Sequence, residues 1–345
     1  MANADGTIAA VGGHGTVRVN SNGSWNNSGS LIIGQSGFGE LHIESGGSVV
    51  SESAMLGQFA GSQSEVIVTS SGSIWTNHVD LIVGGGPMTA GGHASLTVSD
   101  NGLVDVGGQV KVWPSGAIVV ESDGHLVADS IEVLGTLVAN GSLDATVSVS
   151  GGGLVHGAGG LTSIVVGNGG TFSPGNSPGK AMSTSTQWNA GGNYEWEINR
   201  LADEGGVAGN SIGWDLWHTG QLSVGATAMN PFRIVLATLD EFGDPAAIIG
   251  WNPYESHEWP IAAADNAGGV FSESVLSRLT IDATQFGENN DLAGGYFALR
   301  AGGERAELLL EFTAVPEPST FVMGLMAGVS VLVLKWRRGT ARKPA

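Results

Sequence analysis

The chain has no cysteine among its 345 residues. This absence excludes a disulfide scaffold, a cysteine-based zinc site and a thiol nucleophile. Charged residues are also scarce, at 13% of the chain, whereas glycine is abundant, at 57 residues. A composition this apolar does not suit a disordered protein. It suits a turn-rich β structure, in which glycine supplies the positive φ angles of the corners.

The few basic residues are unevenly placed along the chain. Five of the 13 Lys and Arg residues follow Leu334, and no acidic residue follows Glu317. Residues 1–334 therefore carry 32 acidic and 8 basic groups, a formal charge of −24, whereas the tail carries +5. A body of that charge repels nucleic acid and anionic surfaces. The charge distribution argues against a nucleic-acid partner.

The amino-terminal stretch MANADGTIAAVGGHG has neither a basic segment nor an apolar one, so it does not have the pattern of a signal peptide. We expect residues 1–14 to be disordered. Because the carboxy-terminal end predicts export, as described below, we also expect that a leader is missing from this sequence.

An internal repeat organises the first third of the chain. Each copy has an apolar-x-apolar triplet, three small or polar residues, a glycine, one further residue and an apolar residue. The four copies are VRVNSNGSW (17–25), LHIESGGSV (41–49), VIVTSSGSI (66–74) and LTVSDNGLV (96–104). Their glycines, Gly23, Gly47, Gly72 and Gly102, are spaced by 24, 25 and 30 residues. A repeat of this length indicates a solenoid, in which stacked units share one core.

The alternation of apolar residues predicts strands. A coil of about 24 residues, at roughly 3.3 Å each, has a perimeter of about 80 Å, which suits a three-sided parallel β-helix. We predict an all-β protein in which residues 15–182 form a right-handed parallel β-helix; an antiparallel β-sandwich is the alternative. The inward-pointing side chains of the β-helix should be Val17, Val19, Leu41, Ile43, Val66, Val68, Leu96 and Val98.

The residue pattern of the sequence changes after GGTFSPGNSPGKAM (169–182). The prolines of this segment cannot donate to a strand ladder, so we expect them to end a coil. Six of the ten Trp residues fall between Trp188 and Trp259. We predict a smaller β-rich region over residues 183–313. Trp25 and Trp75 share one position of the repeat, and we expect them to stack inside the solenoid. The alternative is an exposed aromatic row that binds sugar rings.

Residues 314–345 combine VPEPST (315–320), an uncharged run from Phe321 to Leu334, and a basic end. As a helix, residues 319–336 would be about 27 Å long, close to the roughly 30 Å core of a bilayer. We predict a single transmembrane helix over about 319–336, with a cytoplasmic tail that contains Lys335, Arg337 and Arg338. A buried core helix is the alternative. The anchor residues would be Phe321, Leu325, Val329, Val331, Leu332 and Leu334.

Several of these motifs resemble one class of exported bacterial protein. The repeat GSxWxN, the turn FSPGNSPG (172–179) and WDLWHTGQLSV (214–224) resemble autotransporter-type passenger repeats. VPEPST, followed by an apolar segment and an Arg pair, resembles the PEP-CTERM sorting signal. The resemblance implies that exosortase, a membrane protease, recognises Val315, Pro316, Glu317 and Pro318 and cuts nearby. It also implies a Gram-negative protein that contacts inner-membrane lipid transiently and then reaches the cell surface or an exopolysaccharide matrix.

Parallel β-helices also host polysaccharide lyases and hydrolases. The candidate acids, most of them in SD, SDNG or SDG contexts typical of turns, are Asp80, Asp100, Asp105, Asp123 and Asp129. The sequence contains no HExxH motif, EF-hand loop or calcium-binding β-helix repeat. We therefore predict a protein with no catalytic residue, metal or cofactor. A polysaccharide-active β-helix enzyme and a sugar-binding adhesin are the alternatives.

Overall fold

The computed structural model describes residues 1–266 and 268–316, and its regular structure is mostly β-strand. Successive turns of the chain, here called coils, each contribute short strands that pair in parallel with the strands of the coils before and after. Most of the strands, numbered β1–β30 along the chain, form three sides of a solenoid. This arrangement is the one expected for a parallel β-helix.

Sides 1 and 2 belong to one bent sheet. Side 1 begins with β1 (Ala2–Asn3), β4 (Ser24–Asn27), β7 (Ser48–Ser51) and β10 (Ile74–Asn77). Side 2 begins with β2 (Gly6–Ile8), β5 (Ser30–Ile33), β8 (Ser53–Leu56) and β11 (Leu81–Val83). Longer strands then cover both sides: β13 (Leu103–Val112), β15 (His125–Val133), β17 (Ser142–Val149), β19 (Gly160–Val166), β21 (Lys180–Trp188) and β25 (Leu216–Val224).

Side 3 is the second sheet. Its strands are β3 (His14–Val19), β6 (Phe38–Ile43), β9 (Gln63–Val68), β12 (His93–Val98), β14 (Gly116–Val120), β16 (Thr136–Ala139), β18 (Leu154–Gly157), β20 (Thr171–Pro174), β22 (Asn193–Ile198), β26 (Phe232–Thr238) and β28 (Leu279–Asp282). Two short strands, β23 (Val207–Ala208) and β24 (Gly213–Trp214), join it beside β22.

The core is a column of apolar side chains between the three sides. Alternate residues of each strand point inward, because successive side chains of a strand face opposite ways. The predicted inward positions are confirmed: Leu41, Ile43, Val66, Val68, Leu96 and Val98 are fully buried, Val19 is buried and Val17 is partly buried. Trp25 and Trp75 also lie in the core, aligned with Val49 between them, as expected for an internal stack.

Two of the four repeat glycines, Gly47 and Gly102, lie where one coil's backbone passes close to the coil before it. A Cβ on Gly47 would lie 2.1 Å from the carbonyl oxygen of Val19, and a Cβ on Gly102 would lie 2.4 Å from that of Val68. No side chain fits in such a space, because neither carbonyl can move without breaking the ladder. The spacing of these glycines along the sequence therefore follows the length of a coil.

The first residues of the chain differ from the expectation of a disordered segment over residues 1–14. Ala2–Asn3 pairs with β4, and Gly6–Ile8 pairs with β5. Ile8 enters the core, where it is only 5% exposed. These residues are ordered because their partners lie about one coil away in sequence, a relationship that local composition does not reveal.

The stack also continues past residue 182 without interruption. Strand β21 spans this position and pairs with β25 from Lys180 to Trp188. The sequence pattern changes here because the core side chains become aromatic. Trp188 stacks on Phe232 with ring centroids 4.7 Å apart, and its ring centroid lies 5.5 Å from that of Trp217. The β-rich region after residue 182 therefore shares sheets and core with the preceding coils.

The carboxy-terminal end of the solenoid carries an antiparallel meander. Strand β27 (His257–Ala264) pairs in parallel with β25 and antiparallel with β30 (Glu307–Thr313), which also pairs with β29 (Tyr296–Gly302). Two short α-helices, α1 (Glu273–Leu276) and α2 (Thr284–Asn289), and two 3-10 turns, Ala202–Glu204 and Gly303–Arg305, complete the regular structure of the described residues.

No helix in the described part of the chain is long and apolar enough to cross a membrane. The predicted transmembrane segment, about 319–336, lies outside the described residues, 1–266 and 268–316. The prediction of a single carboxy-terminal membrane helix therefore stays a prediction.

The stacked core predicts that Ile43→Asp destabilises the protein by several kcal/mol, because an unpaired charge replaces a fully buried side chain. Denaturant unfolding measures the free energy. The control is His42→Asp, on the adjacent outward position, where the new carboxylate would lie beside the register partner Arg18. Equal stability of the Ile43→Asp variant and the parent would contradict the assignment.

Candidate functional site

The predicted sorting segment leaves the body directly after the last strand. Strand β30 ends at Thr313, and the Ala314 N–H donates a hydrogen bond to Ser256 Oγ at 3.1 Å. Val315 is 42% exposed, and Pro316 is also exposed. The body thus holds the chain as far as Ala314 and presents the start of the Pro-Glu-Pro segment to solvent.

The structure places only these first two residues of the predicted signal. The remaining ones lie outside the described residues: Glu317 and Pro318 of the recognition site, the anchor residues Phe321, Leu325, Val329, Val331, Leu332 and Leu334, and the basic residues Lys335, Arg337 and Arg338.

The antiparallel meander, here called the cap, fixes the position of Ala314, where the chain leaves the body. Strand β30 lies between β27 and β29, and its residues Leu308, Leu310 and Phe312 are buried. On the outer face, Arg300 on β29 forms ion pairs with Glu311 on β30 and with Glu258 on β27. The chain therefore leaves from a three-stranded sheet fixed by apolar burial on one face and by paired charge on the other.

The aspartates considered as catalytic candidates occupy turns and the outer surface. Asp80 accepts a hydrogen bond from the Gln109 N–H at 2.9 Å, and Asp100 accepts one from Thr69 Oγ1 at 2.9 Å. Asp100 also has a positive φ of 49°, as expected in a tight turn. Asp123 and Asp129 are exposed, and Asp105 is half-buried. Among the described residues, no group of three or more His, Asp or Glu side chains is placed to hold a metal ion.

A different set of carboxyl groups is buried together, and sequence reasoning missed it. Asp215, which is fully buried, accepts the Gly179 N–H on Oδ1 at 2.6 Å and the Glu197 N–H on Oδ2 at 3.0 Å. The Ser177 hydroxyl donates to Glu197 Oε2 at 2.8 Å. We call Asp215, Glu197 and the neighbouring Glu195 the carboxyl cluster. Two of its members hold the turn FSPGNSPG against side 3.

The local sequence explains how the carboxyl cluster forms. In β22, Tyr194, Trp196 and Ile198 are fully buried in the core, so the alternate residues Glu195 and Glu197 face outward. The turn covers Glu197, because Gly175 has a φ of +76° and a Cβ there would lie 2.4 Å from the Cα of Gly179. Only glycine permits so tight a loop, and the loop makes the outward Glu197 a buried residue, 8% exposed.

Burial controls the protonation of the carboxyl cluster. It raises the pKa of Glu197 to about 7; the Ser177 hydrogen bond opposes this rise, and the charge of Glu195 adds to it. Burial also raises the pKa of Asp215 well above its ordinary value, with the charge of Glu197 adding to the effect and the two backbone N–H donors opposing it. The pKa of Glu195 is raised by burial as well. The two buried acids are therefore favoured in their neutral forms.

The enclosure of the carboxyl cluster limits the reactions that it could catalyse. Glu195 and Glu197 are two residues apart on one strand face, so their Cα atoms are roughly 7 Å apart. Inverting glycosidases hold their two carboxyl groups roughly 6.5–9.5 Å apart, with room for a water between them. Here the turn and the Ser177 hydroxyl cover Glu197. The E-x-E of YEWEI next to a coil-ending turn was the available sequence signal.

Comparison with known proteins identifies the carboxy-terminal end. Residues 314–339 match the PEP-CTERM protein-sorting motif. The motif indicates export to the cell surface and processing by exosortase, a membrane protein. No curated protein is significantly similar to the chain.

The solved structures that are similar at low identity include the crystal structure of a TibC-catalysed, hyper-glycosylated TibA fragment. It is 16% identical, with 83% of this chain and 98% of that chain covered and a TM-score of 0.22. At that score the similarity supports no argument about this chain.

The raised pKa of Glu197 predicts that stability falls as pH rises. A group that binds its proton more tightly when folded contributes stability that is fully present below about pH 4.5 and is lost as pH rises through about 7. The contribution is about 3 kcal/mol. Glu197→Gln should flatten this part of the pH dependence of the unfolding free energy.

Denaturant unfolding at about pH 5 and about pH 8 measures the difference. The matched control is Glu241→Gln, in an exposed loop, which should keep the parent profile. Parallel pH profiles for the parent and Glu197→Gln would show that Glu197 titrates as an ordinary surface acid.

Proposed function

We propose that this is a non-catalytic surface or extracellular-matrix protein, sorted through its carboxy-terminal signal. The segment over about 319–336 holds the body at the inner membrane, with the basic tail in the cytoplasm. Exosortase then cuts near Pro318, and the body moves to the cell surface or into an exopolysaccharide matrix. The observation that carries the proposal is the match of residues 314–339 to the sorting motif.

The exit geometry supports this order of events. A protease needs an extended, accessible substrate, and each proline disfavours helix at the residue before it. Val315 and Pro316 are exposed immediately beyond the hydrogen bond from Ala314 to Ser256. The recognition site thus begins where the body ends, so cutting would release a body that keeps its last strand intact.

The charge distribution supports the same orientation. The basic tail resists translocation and favours the cytoplasmic side. Residues 1–334 carry a formal charge of −24. The body therefore has few basic side chains that could bind a nucleic acid. Its surface suits a neutral or hydrated matrix better than an anionic polymer.

An enzyme acting on polysaccharides is the second candidate, and the pair Glu195 and Glu197 is the specific observation in its favour. Both pKa values are raised, as is common in catalytic acids. The enclosure of Glu197 weighs against it, because a sugar must reach the carboxyl group. A structural role for the pair in holding the turn accounts for the same contacts.

For sorting, we predict that the mature protein in a host with exosortase lacks everything after about Pro318. Pro316→Ala combined with Glu317→Ala should leave the uncut chain in the membrane fraction, because the recognised segment is changed. Intact-mass measurement of the surface form is the test. The control, Glu241→Ala with Pro245→Ala, changes the same residue types in another exposed loop of the body. Trp336 and Ala345 retained in the mature surface form would contradict processing.

For catalysis, we predict that the purified chain releases neither reducing nor unsaturated ends from acidic or neutral polysaccharides. Glu195→Gln and Glu197→Gln provide the decisive comparison. End-group release that disappears in either variant, while the Glu241→Gln control keeps it, would establish an enzyme and overturn the non-catalytic proposal.

A further inference from the structure

Two exposed tyrosines flank the point where the chain leaves the body. Tyr254 is 45% exposed and Tyr296 is 58% exposed, whereas Tyr194, the third tyrosine, is fully buried. Tyr296 is the register partner of Thr313, the last residue of β30. Tyr254 lies two residues before Ser256, whose Oγ accepts the Ala314 N–H. We call these two residues the tyrosine rim.

The charges beside the rim are partly paired. Glu258 and Glu311 both pair with Arg300, so three charged groups leave one net negative charge. Glu255 accepts a hydrogen bond from the Asn252 side chain at 2.9 Å. A zwitterionic lipid headgroup carries no net charge, so it does not repel the negative charge that remains beside the rim.

The chain length keeps the rim close to the bilayer. Five peptide units join Ala314, held on the body, to Ser319, where the proposed membrane segment begins. Fully extended, they reach at most roughly 17 Å. The headgroup layer on one side of a bilayer occupies about 5–8 Å of that distance. The exit surface therefore cannot lie far from the lipid headgroups while the chain is uncut.

We propose that the tyrosine rim lies in the headgroup layer and orients the body on the membrane before cutting. Tyrosine has an apolar ring and a polar hydroxyl, which suit it to the membrane–water interface. The inference rests on the proposed function, because it needs the segment over about 319–336 to span the bilayer. Two rings give modest affinity by themselves, so the rim acts only while the anchor holds the body nearby, and cutting releases both.

The test uses the full chain, from a host without exosortase, in nanodiscs of phosphatidylethanolamine and phosphatidylcholine. Because the chain has no cysteine, one spin label can be placed at Glu255→Cys, beside the rim, or at Asp123→Cys, on an exposed turn of the solenoid. Collision with a water-soluble nickel chelate and with lipid-soluble oxygen is then compared. We expect the nickel-to-oxygen accessibility ratio to be severalfold lower at position 255 than at position 123.

Tyr254→Ser combined with Tyr296→Ser should remove this difference, whereas phenylalanine at both positions should retain it. Phe59→Ser, which removes another exposed aromatic side chain, should leave it unchanged. Equal ratios at positions 255 and 123 in a chain that elutes with the nanodisc would refute the rim and leave the membrane span standing. A chain that elutes free of the nanodisc would refute the span, and the rim with it.

Discussion

Register-matched parallel pairing between successive coils is the constraint on which the rest of the structure depends. Each inward side chain packs on the residue about one coil away, so Trp25 is followed in its column by Val49, Trp75 and Val104. A shift of one residue would turn the whole strand over and expose its apolar side chains. Coil length must therefore stay nearly constant between the glycine corners, and a longer insertion, such as residues 84–92, must leave the stack as a loop.

The same pairing lets a neighbouring coil supply hydrogen-bond partners to some of the buried polar groups. Ser51 and Asn77 are register partners inside the core, and the Ser51 hydroxyl donates to Asn77 Oδ1 at 2.7 Å. The carboxyl cluster is a second example, at the transition to the aromatic coils, where Asp215 accepts two backbone N–H groups that would otherwise lack partners. Because burial favours the neutral acids there, the turn FSPGNSPG is held without a buried ion pair.

The carboxy-terminal cap is where the solenoid meets its sorting signal. A stack of parallel coils ends in an exposed edge, and the antiparallel meander of β27, β30 and β29 covers that edge with buried Leu and Phe side chains. The strand that completes this cap is also the last one before the signal. The pairing of Thr313 with Tyr296 and the hydrogen bond from Ala314 to Ser256 fix the point at which Val315 and Pro316 leave the body.

Short-range patterns in the sequence determined the strands, the inward residues such as Leu41 and Ile43, the internal Trp25 and Trp75, and the sorting signal matched at residues 314–339. These features depend on period-two alternation or on adjacent residues, both of which are readable along the chain. Only the tertiary structure decided that residues 2–8 are paired, that the stack crosses residue 182, and that Gly179, Glu197 and Asp215 meet. Those contacts join residues 18 to 36 positions apart or rest on the pairing of whole coils, so their physical cause is the register between coils and not any local preference.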